Sequence, residues 1–299
     1  MLPSYPSRFP LNFGGLEEAD SGYEQARVVV WPIPLERTTT YKPGTRYGPA
    51  AILDASRNME LYDEELQGEP FHCGIHTLPE METHIGTIEK ALADLHTVAS
   101  GLLTDGKFVV ALGGEHSLTP PIVAACAKKF PNLSVLQIDA HADLRDTYEG
   151  TGYSHACAMR RVLEICPAVQ VGIRSLSKEE ADALPHLSNT RVFYAQQIVG
   201  QPPGKWVPEV IQSLSDTVYV TLDVDGLDPS VMPATGTPEP GGLGWYELLQ
   251  LLREVAARKT IVAADIVELS PQPGLHACEF LCARLAYKMM GYVMQGRAG

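Results

Sequence analysis

Asp139, His141 and Asp143 stand at alternate positions in LQIDAHADLRD (136–146), directly behind the apolar run LSVLQI. In extended chain, residues two apart face the same side. Two carboxylates and an imidazole would therefore be presented together. The pattern recurs in TLDVDGLDP, where Asp223 and Asp225 follow TVYVTL. His116 stands just behind FVVALGG, and Glu268 directly behind TIVAADIV. Each piece has an ordinary explanation, since Asp at a strand end suits a turn or a helix N-cap. A lone histidine behind Gly-Gly-Glu reads as a hydrogen-bonded structural residue. Together they put carboxylates and imidazoles behind four separate apolar runs. Such groups cannot be gathered and buried without a compensating cation, and this many suit two. Carboxylate and imidazole without thiolate fit Mn2+ better than a structural Zn2+.

The elements that must position these residues are legible as alternation. Short β-branched runs occur at 27–34, 108–114, 133–139, 168–173, 191–195, 217–225 and 260–268, near-continuous in apolar character as in strands buried on both faces. Helical patterns lie between them at 86–103, 119–129, 178–184, 206–214, 244–257 and 278–294. This predicts an α/β fold, a three-layer αβα sandwich with a mainly parallel central sheet. In such sheets ligands bind beyond the carboxyl ends of the strands, where all the residues named above fall. Residues 1–25, proline-rich and weakly periodic, read as an N-terminal arm, and 26–299 as a single catalytic domain.

Composition removes other classes. The formal net charge of −13 argues against nucleic acid and is compatible with cationic ligands. No run approaches the ~20 apolar residues of a membrane span, and the N-terminus lacks the pattern of a secretory signal. The six cysteines form no C-x-x-C pair, so reduced thiols and a cytoplasmic location are expected. Cys278 and Cys282, four apart, read as core thiols.

The motifs GGEH, DAHAD, YSHA and LDVDGLDP, in this order and spacing, resemble those of the ureohydrolases, the family of arginase and agmatinase, over Val28 to Tyr292. GTRYGPAAI (44–52) and MPATGTPEPGGL (232–243) are more similar to the agmatinase branch. The resemblance implies a binuclear manganese centre, with nickel or cobalt as alternatives on the same ligands. His116 and Asp143 would each bind one metal, Asp139 and Asp223 would bridge, and His141 and Asp225 would hold the second. It also implies that His155 is a mobile proton shuttle and that Glu268 pairs with a substrate guanidinium. Residue types alone would leave His155 a polar loop residue and Glu268 a helix-start acid. Two positions depart from the family: Thr221 where Ser is frequent, and Ala156 where Gly is frequent. The latter is tolerated if the backbone φ there is negative. Members of the family tend to form trimers or hexamers, so a homo-oligomer is expected.

The activity implied is hydrolysis of the guanidinium of agmatine to putrescine and urea, in polyamine synthesis, with Asp143 as proton carrier. N1-aminopropylagmatine, giving spermidine and urea, ranks next, ahead of guanidinobutyrate and arginine. Asp146 and Glu149, in the loop between DAHAD and YSHA, could meet a distal ammonium, whereas Arg145 could meet a carboxylate. Zinc deacetylases share this fold type but use fewer carboxylates. An inactive relative would be expected to have lost ligands that this chain keeps.

Overall fold

The computed structural model describes residues 10–83 and 85–296. Its strands are β1 (Val28–Ile33), β2 (Ile75–Thr77), β3 (Phe108–Gly113), β4 (Leu133–Ile138), β5 (Ala168–Ile173), β6 (Thr190–Tyr194), β7 (Thr217–Asp223) and β8 (Thr260–Val267). They form one eight-stranded sheet in the order β2-β1-β3-β8-β7-β4-β5-β6, every pair parallel. Each of the seven expected runs overlaps a strand, β6 beginning one residue ahead of the expected 191. The eighth, β2, is a three-residue edge strand whose pattern is too short to read from sequence.

Alternation along the strands builds the three layers. In β1, Val28 and Val30 enter one core, while Val29, Trp31 and Ile33 enter the other. The first core is closed by helices that include Gly48–Ser56, Trp245–Arg258 and His276–Gly296. The second is closed by Ile88–Thr104, Thr119–Lys129 and Ala158–Leu163. Helix Ile88–Thr104 shows how these form. The Thr87 side chain caps it by accepting from the Lys90 amide. Ala91, Leu95, Ala99, Leu102 and Leu103 put a buried stripe on one face. Removing each large side chain of that stripe from water contributes roughly 1.5–3 kcal/mol. Gly106, at φ +76°, turns the chain back into β3.

Within the segment read as an arm, residues 10–25 are docked: Phe13 is fully buried and Leu16 nearly so, both in the first core. Residues 1–9 lie outside the described residues. Among the described residues no helix is long and apolar enough to cross a membrane. None of the six cysteines forms a disulfide, and all but Cys73 are buried.

The strand order matters most for the site. β7 and β8 lie between β3 and β4, so the four strands with candidate ligands at their ends are neighbours. The register pairs Leu112 with Ile266, Ile266 with Leu222 and Leu222 with Ile138, so the four carboxyl ends finish in one row.

Candidate active site

Each strand end delivers its side chains by a local device. Behind β4, the Asp139 carboxylate turns back on its own loop and accepts the His141 amide at 2.6 Å. Asp225 crosses from β7 to accept the Ala140 amide at 3.0 Å, and Asp223 accepts the Asp225 amide at 2.9 Å. Four non-glycine residues among those described adopt left-handed backbone, and two of them are at this site, Asp143 at φ 52° and Glu268 at φ 66°. Each such position costs on the order of 1–3 kcal/mol and tends to cluster at functional sites. Glu268 Oε1 accepts the His116 amide at 2.7 Å, tying the end of β8 to the end of β3.

The six expected ligands converge. His116 Nδ1 lies 3.2 Å from Asp139, 3.1 Å from Asp143 and 3.6 Å from Asp223. His141 Nδ1 lies 2.9 Å from Asp225 and 3.6 Å from Asp139. Among the described residues, two groups have donor atoms close enough to hold one ion: His116, Asp139 and Asp223, and Asp139, His141 and Asp225. Asp139 belongs to both, as a bridging ligand would.

Two observations test whether a cation fits. First, the tautomer of His116 is determined by its neighbours. The single hydroxyl proton of Thr221 goes to Asp265 at 2.6 Å, so the Thr221 oxygen, 2.8 Å from His116 Nε2, must accept from it. Nδ1, which has no hydrogen-bond partner among the described residues, is then aimed at carboxylate oxygens. That arrangement calls for positive charge at Nδ1, a proton or a metal ion: burial opposes a charged ring, yet Asp139 and Asp143 hold the His116 pKa well above its ordinary value, and a metal ion in their midst would take the proton's place. Second, burial pushes the Asp143, Asp223 and Asp225 carboxyls up, and their carboxylate neighbours push them further. Burial opposes a charge on His141, yet Asp225 and Asp139 carry its pKa up to about 12. The protein's own charges are badly balanced here, and the donor set is the kind that divalent cations occupy.

The cluster forms the floor of a cavity of about 260 Å³. Glu268 and His155 line it together with His116, His141, Asp143, Asp223 and Asp225. Burial and the neighbouring Glu115 carboxylate push Glu268 well above the ordinary range, so a bound cation would favour its ionised form. Ala156 is not among the residues with positive φ, so alanine costs nothing at that position.

Asp146 and Glu149 do not line the cavity. Asp146 is exposed and paired with Arg161 at 2.6 Å. Glu149 sits with Gly150 at the tip of a tight hairpin closed by Tyr148 and Thr151, both central residues having positive φ. The same loop instead brings Arg145 and Tyr148 to the cavity wall, the guanidinium stacked 4.8 Å from the ring centre.

Sequence reasoning also missed the supporting polar residues. Gln137 donates to Asp139 Oδ2 at 2.7 Å, and Gln170 holds Gln137 and the Ala142 carbonyl. Asp265 accepts from Thr119, Tyr219 and Thr221. The available signal was a single amide or acid inside each otherwise apolar run, LSVLQI, AVQVGI and TIVAADIV.

Fold and cluster define a class: an αβα protein whose central strands end in a carboxylate–imidazole centre suited to divalent cations. The model of the arginase family matches residues 26–291. The chain is 44% identical over 285 residues to the N(1)-aminopropylagmatine ureohydrolase of Synechocystis sp., covering 92% of each. It is 36% identical over 254 residues to the agmatinase of Bacillus anthracis, covering 83% of this chain and 85% of that one. The crystal structure of agmatine ureohydrolase of Thermoplasma volcanium superposes with a TM-score of 0.87 at 31% identity, over 97% of this chain and 96% of that one. The chain belongs to the arginase family and is a ureohydrolase, a hydrolase of amidino C–N bonds.

Proposed function

We propose that the chain hydrolyses the guanidinium of N1-aminopropylagmatine to urea and spermidine, with two manganese ions as cofactor. The reaction type rests on one observation: Glu268 and His155 line a single cavity together with five of the six candidate ligands. The choice of amine rests on relatives of that name from Synechocystis sp. and Thermus thermophilus, 44% and 41% identical over 92% of this chain. Agmatine, ranked first from the motifs, is the second reading, favoured by the Bacillus anthracis agmatinase at 36%. The acids nearby do not decide between them: Asp146 and Glu149 lie outside the cavity, and Glu180, which lines it, is occupied by the Leu144 and Ser177 amides.

The residues divide the work as follows. His116, Asp139, Asp143, His141, Asp223 and Asp225 would hold the metal. Bound divalent ions supply positive charge that lowers the pKa of water toward ~7. Glu268 takes the guanidinium in a charge-assisted contact, its own orientation held by the His116 amide. Asp143 accepts the proton released as water attacks the guanidinium carbon. His155 returns a proton to the amine nitrogen as the C–N bond breaks.

The test is urea release by Mn2+-loaded protein from N1-aminopropylagmatine, agmatine, arginine and 4-guanidinobutyrate, compared by kcat/KM. The first substrate should lead by tenfold or more, about 1.4 kcal/mol of discrimination. A lead for agmatine moves the chain to the second reading, and a lead for a guanidino acid overturns both. Asp139→Asn should abolish turnover and metal retention, and normal activity in that variant would sink the site. We also propose a cytoplasmic homo-oligomer, trimer or hexamer. A monomeric sedimentation coefficient for active protein would overturn that assembly.

A further inference from the structure

The ring of His155 is held by the loop behind β1. Gly114 packs so closely on that loop that a Cβ there would meet the Leu35 carbonyl oxygen at 2.0 Å. Beyond it, the Glu115 amide donates to the same carbonyl at 2.7 Å. The Glu115 carboxylate is fully buried and takes four hydrogen bonds. It accepts the amides of Arg37 and Thr38, both at 2.6 Å, the Thr38 hydroxyl at 2.8 Å and the Ser117 hydroxyl.

The consequence falls on Thr38. Its one hydroxyl proton is given to Glu115, so its oxygen can only accept from elsewhere. That oxygen lies 3.0 Å from the backbone amide of His155 and 3.1 Å from His155 Nδ1. At 3.1 Å that contact is bonding only if Nδ1 carries the proton; the Ser154 hydroxyl, also near Nδ1, lies farther off at 3.4 Å. In the neutral imidazole the lone pair is then on Nε2, the nitrogen left for the cavity that His155 lines.

We propose that Thr38, oriented by Glu115, is the positioning residue for His155: it fixes the ring tautomer and reserves the Nε2 lone pair to take up a proton from solvent and pass it to the leaving amine. This rests on the reading of His155 as proton donor. The neighbours Thr39 and Thr40 form part of the cavity wall, so one short loop both shapes the pocket and sets the ring. Thr38→Val keeps the shape but offers no acceptor, freeing the ring to turn or to change tautomer. Thr38→Ser keeps the oxygen.

The experiment is a double-mutant cycle on the Mn2+-loaded enzyme, with Thr38→Val, Thr38→Ser, His155→Asn and the Val/Asn double variant. Thr38→Val should lower kcat by about 100-fold, the scale of one general acid, with KM nearly unchanged. Thr38→Ser should stay close to wild type. In the His155→Asn background Thr38→Val should have almost no further effect, because the residue acts through the ring. Equal losses of kcat in both backgrounds would overturn the proposal. If His155→Asn itself leaves kcat intact, the proton-donor reading fails first, and that result is distinct from additivity. Should Thr38→Val fail to fold, nitrogen-15 NMR of histidine-labelled wild type decides, loaded with a diamagnetic divalent ion. A neutral His155 protonated on Nδ1 supports the assignment, and one protonated on Nε2 overturns it.

Discussion

Thr221 shows how far a single hydroxyl reaches in this site. It gives its proton to Asp265 and receives that of His116 Nε2, so three side chains on β7, β8 and the end of β3 share one arrangement. Partners of this kind are typically worth 10–100-fold in metal affinity. Thr221→Val should therefore weaken metal binding by roughly that factor, read by equilibrium dialysis, while Thr221→Ser should retain it. Unchanged affinity in the valine variant would mean that His116 is oriented by packing alone. Asp139, His141, Asp143, Asp223 and Asp225 were legible in sequence as candidate ligands because alternation behind an apolar run is a local pattern. Gln137, Gln170 and Asp265 were not, because their partners come from other strands and nothing nearby in sequence announces them. Asp146 and Glu149 misled for the opposite reason. Their charge suggested a cationic ligand, but the hairpin at 148–151 and the guanidinium of Arg161 direct them away from the cavity.

At the scale of elements, the Gly-Gly of GGEH matters through close approach rather than through unusual torsion. Gly113 faces Leu118 and Val267, and Gly114 faces the Leu35 backbone, so a methyl group at either position would collide. Gly114→Ala should destabilise the protein by about 1–3 kcal/mol, the scale of overpacking, or more if the loop behind β1 is expelled. Thermal melts check the stability loss. A cavity-facing probe at Thr39 checks the expulsion, and a variant with wild-type melting temperature and kcat would refute the account. Strand existence was readable because six of the eight are buried in nearly continuous apolar runs, and edge strand β6, where only Phe193 is buried, still carries β-branched and aromatic residues. β2 was not, since a three-residue edge strand is created by its partner β1 rather than by its own pattern. Helix Gly48–Ser56 was similarly hidden inside a stretch read only as a motif.

At the scale of the whole molecule, the C-terminal helix is pinned by an ion cluster remote from the site. Lys288, almost fully buried, reaches Asp63 and Glu64 at 3.0 Å and Glu65 at 3.3 Å. The hydrogen bond from Lys288 lowers the Glu64 pKa. Burial raises that of Glu65, but bonds from Tyr292 and Lys288 outweigh it and the net shift is downward. A carboxylate with a depressed folded pKa contributes stability above its unfolded value and loses it as pH falls through the folded one. The cluster should therefore stabilise the fold at neutral pH and weaken below the ordinary glutamate value of 4.5. Lys288→Met leaves Asp63 buried without its cation and should cost about 3 kcal/mol at pH 7. Urea melts should show that penalty shrinking toward pH 4, and an equal penalty at both pH values would refute the cluster's role.

The strand order carries one further consequence, for the time at which the centre comes into being. A chain emerging from synthesis releases His116 and the DAHAD segment well before β7 and β8. Yet the ends of β3 and β4 are separated in the finished sheet by the two strands made last. Three steps of ~4.8 Å must be bridged by chain that does not yet exist. A nascent chain stopped before Thr217 holds His116, Asp139, His141 and Asp143 but has no surface that presents them together. Any ion this centre takes up is taken up at the close of folding, so metal loading marks a completed molecule.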